Sequence, residues 1–149
     1  MKTNRLTMLC ISLLFLLSSC EKMVENEPQD KSFLQNEWKV QSVTNKGKHF
    51  AVPSNHTFFR EEAYILKFAN DSCFVMNTSV NYAGGKYQIV SDDDIVITDY
   101  HEWTEVAGSY GNFDNQLISV FNGEMSYSYT KNKLIFRGDK NKEIVFVKQ

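Results

Sequence analysis

Cys20 is the residue of this chain with the clearest chemical role. It ends the tetrapeptide Leu17-Ser18-Ser19-Cys20, a branched apolar residue, two small residues and a cysteine, which has the form of a lipobox. Small side chains suit a narrow peptidase site, and the thiol can accept a diacylglyceryl group before the chain is cut ahead of it. Upstream, Lys2 and Arg5 precede an apolar run from Leu6 to Leu17. At about 12 residues the run is shorter than the roughly 20 needed to span a bilayer, and it has the length of a signal-peptide apolar region. Residues 1–19 are therefore read as a lipoprotein signal peptide. Cys20 is read as the site of lipidation, carrying palmitate-type acyl chains into a membrane.

Other reactive residue types do not form a recognisable constellation. A catalytic zinc site needs three converging ligands, and neither the spacing nor the flanks of His49, His56 and His101 suggest one. In His101-Glu102-Trp103-Thr104-Glu105 the position of a second zinc-binding histidine is held by Glu105. Asp92-Asp93-Asp94 lacks the alternation, glycine and distal glutamate of a calcium loop and reads as a solvated turn. Gly108-Ser109-Tyr110-Gly111 is not a nucleophile elbow, and Gly84-Gly85 is followed by no phosphate-loop lysine. No catalytic, cofactor-binding or metal-binding residue is expected. A hydrolytic enzyme would need a cluster assembled from distant residues such as Asp99, His101 and Glu105. Cys73, in Cys73-Phe74-Val75-Met76, reads as an inert buried thiol, because Cys10 leaves with the signal peptide and Cys20 is consumed by lipid.

The aromatic residues are more suggestive. Tyr82, Tyr100, Trp103, Tyr110 and Phe113 stand in or beside weakly patterned segments. Tyr100, Trp103 and Tyr110 are the candidate interaction surface, able to stack on a sugar or peptide or to anchor a protein partner. The competing reading packs these rings over the end of the fold.

Charge narrows the partners. Residues 1–19 hold two of the 16 basic side chains and none of the 18 acidic ones, so cleavage leaves a formal net charge of −4. A mildly acidic chain has no electrostatic footprint for nucleic acid or for anionic lipid. The lipid itself must do the anchoring.

Residues 20–32 are polar, contain Pro28 and show no sustained period, as expected of a lipidated tether. At full extension such a segment reaches at most about 40 Å. Residues 33–149 then form one domain. Trp38 and Val40 alternate with Lys39 and Gln41, and strand runs follow at 64–68, 73–77, 87–90, 95–98, 126–130, 134–136 and 144–147. Gly84-Gly85 is read as a tight reversal, and Ser91-Asp92-Asp93-Asp94 and Lys131-Asn132-Lys133 as hairpin turns. The apolar positions 117, 118, 120 and 121 fit one helical face, capped by Asp114 or Asn115 and ended by Gly123. A hairpin turning at Asn122-Gly123 is the alternative. The long segment from Tyr100 to Phe113 reads as a weakly patterned loop, functional or mobile rather than accidental. Together these signals predict an all-β fold, an antiparallel barrel or strongly curved sheet with one short α-helix.

The order of elements resembles the META domain (HslJ-like) family of small envelope proteins. The resemblance runs through Trp38-Lys39-Val40, Ile65-Leu66-Lys67-Phe68, Asn81 with Gly85-Lys86-Tyr87, and Thr104. It continues through Leu117 to Phe121, Tyr127-Ser128-Tyr129, Leu134-Ile135-Phe136 and Ile144-Val145-Phe146. The family's glycine-cysteine-asparagine signature is replaced by Ser79-Val80-Asn81, and the cysteine after its threonine is missing. A lipocalin-like bacterial lipoprotein domain, which also opens on a tryptophan strand, is the rival. The META resemblance implies an envelope or stress-related role without established catalytic residues.

The expected function is that of a membrane-tethered, non-catalytic binding module in the envelope of a Gram-negative-type bacterium, at the outer membrane on its periplasmic or surface face. Its partner would be an envelope protein or glycan. The alternative is a carrier of a small apolar ligand inside the barrel.

Overall fold

The computed structural model describes residues 31–53, 63–69, 72–79, 81–103 and 112–149. Cys20, His56, Glu105, Ser109 and Tyr110 lie outside them, as do the signal peptide and nearly all of the tether. A 3-10 turn (Ser32–Gln35) leads into β1 (Glu37–Asn45), β2 (Lys48–Ala51), β3 (Ile65–Phe68), β4 (Cys73–Asn77), β5 (Tyr82–Ile89) and β6 (Asp94–Trp103). After α1 (Asn112–Val120) come β7 (Gly123–Tyr129), β8 (Lys133–Gly138) and β9 (Lys142–Lys148).

All pairings are antiparallel, and β1 pairs with β9 to close eight strands into a barrel. One edge of β1 is shared: Glu37 to Lys39 pair with β3, and Ser42 to Asn45 pair with the short hairpin strand β2. Eight strands leave an interior that side chains can just fill. Trp38, Leu66, Phe74, Met76, Ile95, Ile97, Leu134, Phe136, Ile144 and Phe146 fill it, each at most 1% exposed. With apolar groups facing in and polar groups largely facing out, the wall is the reverse of a bilayer-spanning barrel. No helix among the described residues is long and apolar enough to cross a membrane.

Both ends are plugged. Phe33 enters one end, its ring 5.6 Å from Phe68 and 5.0 Å from both Tyr127 and Tyr129, while its carbonyl accepts a 2.8 Å hydrogen bond from Trp38 Nε1. At the other end α1 turns Phe113, Leu117 and Val120 inward, a spacing that puts them on one helical stripe. Phe121 continues that stripe onto Phe74, Phe136 and Phe146 at ring separations of 5.1, 5.8 and 6.3 Å. Asn45 at the end of β1 secures the helix by donating to Gln116 at 2.8 Å and to Ser119 at 2.9 Å.

The chain thus forms the all-β antiparallel barrel with one short helix that the alternating pattern predicts. Three local expectations change. The helix begins earlier, so Asp114 lies inside its first turn, and Gly123 opens β7 at φ +93°. The segment 100–113 is in part structured, since β6 runs to Trp103 and α1 starts at Asn112. Gly84-Gly85 is no reversal but the middle of β5; the chain turns at 78–81 instead, where Thr78 N–H donates to the Asn81 carbonyl at 2.9 Å.

Candidate functional site

The outer wall of β4, β5 and β6 carries the exposed aromatic surface. Directly paired residues of antiparallel strands point the same way. One outward row is therefore Asn77, Tyr82 and Trp103, and the next is Val75, Gly84 and His101. Gly84 leaves a bare point in this grid. The Trp103 ring fills it, with Cζ3 and Cη2 at 2.9 and 3.0 Å from where a Gly84 Cβ would stand. An aromatic ring laid over a strand glycine restores cover that the glycine lacks. Trp103 nevertheless stays 51% exposed, beside Val75 at 42% and Tyr82 at 36%.

His101 completes the corner. Its ring centroid lies 4.1 Å from that of Trp103 and nearly perpendicular to it, at 79°. His101 Nδ1 is 2.7 Å from the Asp99 carbonyl oxygen. A carbonyl only accepts, so Nδ1 carries the proton of this contact, and Nε2 is the ring's other polar atom. The Asp99 carboxylate is turned elsewhere, onto Lys86 Nζ at 2.9 Å. Asp99 and His101 therefore do not form the carboxylate–imidazole pair that hydrolytic chemistry would use.

A β-bulge aims these residues. The register moves from Lys86 opposite Thr98 to Gly84 opposite His101, so Asp99 and Tyr100 together face Gly85. Asp99 takes φ +53°, a left-handed conformation that aspartate tolerates better than most residues. The extra residue reverses the alternation of β6. Ile95 and Ile97 point in, Asp99 points out, Tyr100 and Glu102 point in, and His101 and Trp103 point out. Tyr100 is thereby removed from the expected surface: its ring lies 6.3 Å from Phe74 and 6.4 Å from Phe121 inside the wall. Of the candidate surface Tyr100, Trp103 and Tyr110, Trp103 stands on the outer face and Tyr110 lies outside the described residues.

A second polar group sits inside, beneath α1. Asp114, 3% exposed, accepts a 2.7 Å hydrogen bond from the Tyr64 hydroxyl and another from the Ser79 hydroxyl. Both donors flank strand ends, Tyr64 at φ +66° just before β3 and Ser79 in the β4–β5 turn. Burial, reinforced by Asp114, raises the Tyr64 hydroxyl above its ordinary range. Burial raises Tyr100 as well, with Glu102 and Asp114 adding to it, and the Tyr100 oxygen has no hydrogen-bond partner among the described residues. Glu102 is also raised, by burial and then by Asp114. The arrangement fastens the helix to the rim of the barrel.

The remaining candidates are dispersed. His49 is exposed on β2, and Asp93 and Asp94 accept hydrogen bonds from Ser91 in an exposed turn. Cys73 is a half-buried thiol, in no disulfide among the described residues, on the outward side of β4. No group of three metal-ligating side chains occurs among the described residues. Sequence reasoning missed Gly84, Tyr64 and Ser79; a glycine pair inside an otherwise β-rich run was the available signal for the first.

No protein-family model and no curated protein matches the chain. Two solved structures share its fold. A protein from Burkholderia xenovorans, determined by NMR, is similar with a TM-score of 0.59 at 12% identity, covering 85% of this chain and 92% of that one. The crystal structure of a DUF4847 family protein from Bacteroides vulgatus is similar with a TM-score of 0.53 at 16% identity, covering 77% of this chain and 93% of that one. At such identities the likeness is one of fold alone.

Proposed function

We propose that this chain is a lipid-anchored envelope protein whose barrel is a non-catalytic binding module working through the outer wall at Trp103. The observation that carries the binding role is the half-exposed indole held over Gly84 beside His101, Tyr82 and Val75. Exposed tryptophan is the side chain most often found anchoring a binding surface. The anchor rests on Leu17-Ser18-Ser19-Cys20 and the apolar run before it. Kinship with META or lipocalin-like envelope proteins is compatible with the same barrel-and-helix plan.

An apolar-ligand carrier is the weaker reading. The rings of Phe74, Phe121, Phe136 and Phe146 pack on one another along the barrel axis, so a ligand there would have to displace them.

Two measurements test the proposal. Wild type should be cleaved and partition with detergent, and Cys20→Ser should stay an uncleaved precursor that incorporates no fatty acid; a variant still processed and still in detergent ends the anchor reading. In-cell crosslinking should recover an envelope component with wild type and lose it with Trp103→Ala. Equal recovery of every crosslinked component would remove the Trp103 face from consideration.

A further inference from the structure

We infer that the Trp103–His101 corner is a stacking site for a neutral saccharide ring. The inference rests on the binding role proposed for this face and names its ligand class.

Charge comes first. Asn77, Tyr82, Trp103, Val75, Gly84 and His101 make an outward grid with no acidic side chain and no lysine or arginine. Among the described residues the adjoining formal charges are paired: Lys67, opposite Val75, lies 2.8 Å from Glu37, and Lys86 lies 2.9 Å from Asp99. A phosphate or carboxylate ligand would need an available guanidinium or ammonium group, and the two ammonium groups beside this face among the described residues, Lys67 and Lys86, each already hold a carboxylate. The complementary ligand is uncharged.

Size comes second. A standard protein interface covers about 800 Å² on each partner and some 20–30 residues a side. The contiguous large apolar side chains exposed here, among the described residues, are Val75, Tyr82 and Trp103, since Val90 lies at the far end of β5. Three side chains around a bare glycine are too few for a protein footprint, a second copy of this chain included. They match the width of one or two pyranose rings.

Chemistry comes third. A pyranose has a face of C–H groups that lies well on the electron-rich face of an indole, with hydroxyls at its edge. The corner supplies both partners: the Trp103 ring as the platform and His101 Nε2 as a hydrogen-bond partner for a hydroxyl, which can donate or accept. The platform is already in place in the free protein. Contacts with Gly84 and with the perpendicular His101 ring limit the indole's freedom while half of it stays exposed, so little rotamer entropy is lost on binding.

The chain reports on its own binding. It has two tryptophans, Trp38 and Trp103. Trp38 is 0% exposed, with its Nε1–H bonded inside the barrel, so any ligand-dependent emission change belongs to Trp103. The purified full chain is titrated to 10 mM with cellohexaose, chitohexaose and mannohexaose while emission is recorded. The expected result is a blue shift of the exposed component with at least one sugar, and binding by NMR titration that is lost in Trp103→Ala. Trp103→Phe, which keeps a flat ring, should retain binding within about tenfold by NMR titration. No shift with any of the three sugars, or a shift that survives Trp103→Ala, overturns the assignment. If the sugars fail while Trp103→Ala still loses a crosslinked envelope component, the binding face stands and the saccharide assignment falls; if neither responds, both fall.

Discussion

The Tyr64 hydroxyl donates a 2.7 Å hydrogen bond to Asp114 across 50 residues of sequence, joining the start of β3 to the first turn of α1. Ser79 supplies the second donor to the same carboxylate. Asp114 has almost no contact with solvent, so its two oxygens depend on these hydroxyls. Removing the acceptor leaves two buried donors unsatisfied, at about 1–3 kcal/mol each. Asp114→Ala should therefore lower unfolding stability in urea by about 3 kcal/mol, and Tyr64→Phe by less. The double variant should lose less than the sum, because the partners share one interaction. Additive losses would mean that the helix is held chiefly by Leu117, Val120 and Phe121.

The same two tyrosines set an alkaline limit. Burial holds Tyr64 and Tyr100 above the ordinary value of 10.0, so the folded chain keeps both protons where the unfolded chain releases them. Their contribution is fully present below pH 10 and is lost as pH rises above it. Each should steepen the fall by up to about 1.4 kcal/mol per pH unit. Urea midpoints measured from pH 8 to 11.5 should turn down above pH 10, less steeply in Tyr64→Phe. Identical slopes in wild type and variant would show that Tyr64 ionises freely in the folded chain.

Glu102 has the opposite consequence at neutral pH. Burial, then Asp114, raises its carboxyl above the ordinary 4.5, so the charged form is disfavoured in the folded chain. For an acid shifted upward, stability is greatest below the unfolded value and falls as pH rises through the folded one. Glu102→Gln should thus be more stable than wild type at pH 7, and the gain should shrink below pH 4.5. Thermal melts at pH 4 and pH 7 decide it; a variant less stable at pH 7 would mean that the Glu102 carboxylate is held by a favourable contact.

Much of the barrel was legible because alternation is a direct record of which face is buried. Trp38 and Val40, Ile95 and Ile97, and Leu134 and Phe136 each announce an inward pair. The helix was legible for the same reason at a different period. The site was not, because a single backbone irregularity decides it. Extrapolating the pattern of Ile95 and Ile97 through β6 would turn Trp103 inward and Tyr100 outward, yet the bulge at Asp99 exchanges them. A bulge carries little residue-type signature when its left-handed position is an aspartate rather than a glycine. Tyr64, Ser79 and Asp114 were hidden differently: each is ordinary in its local segment, and only closure of the barrel under α1 brings them together.

Gly84 and Gly85 are neighbours in sequence and opposite in role, which yields a paired prediction. Gly85 faces the interior, where a Cβ would stand 2.7 Å from the Thr98 carbonyl oxygen and 2.9 Å from the Phe74 ring. The carbonyl belongs to the bulged backbone and cannot swing aside, so Gly85→Ala should lose about 1–3 kcal/mol by overpacking. Gly84 faces out, where a Cβ meets the Trp103 ring at 2.9 Å and the Phe74 carbonyl oxygen at 3.0 Å. The indole is a surface side chain and can move away, so Gly84→Ala should be the milder change in urea unfolding. Its signature should be spectroscopic: with the ring lifted from the wall, Trp103 emission shifts to longer wavelength, whereas Gly85→Ala leaves it unchanged in the folded state. Loss of the saccharide-dependent shift in Gly84→Ala, with Trp103 still present, would tie recognition to the seat that the glycine provides. Unaltered emission in Gly84→Ala would show that the indole does not depend on Gly84 for its position.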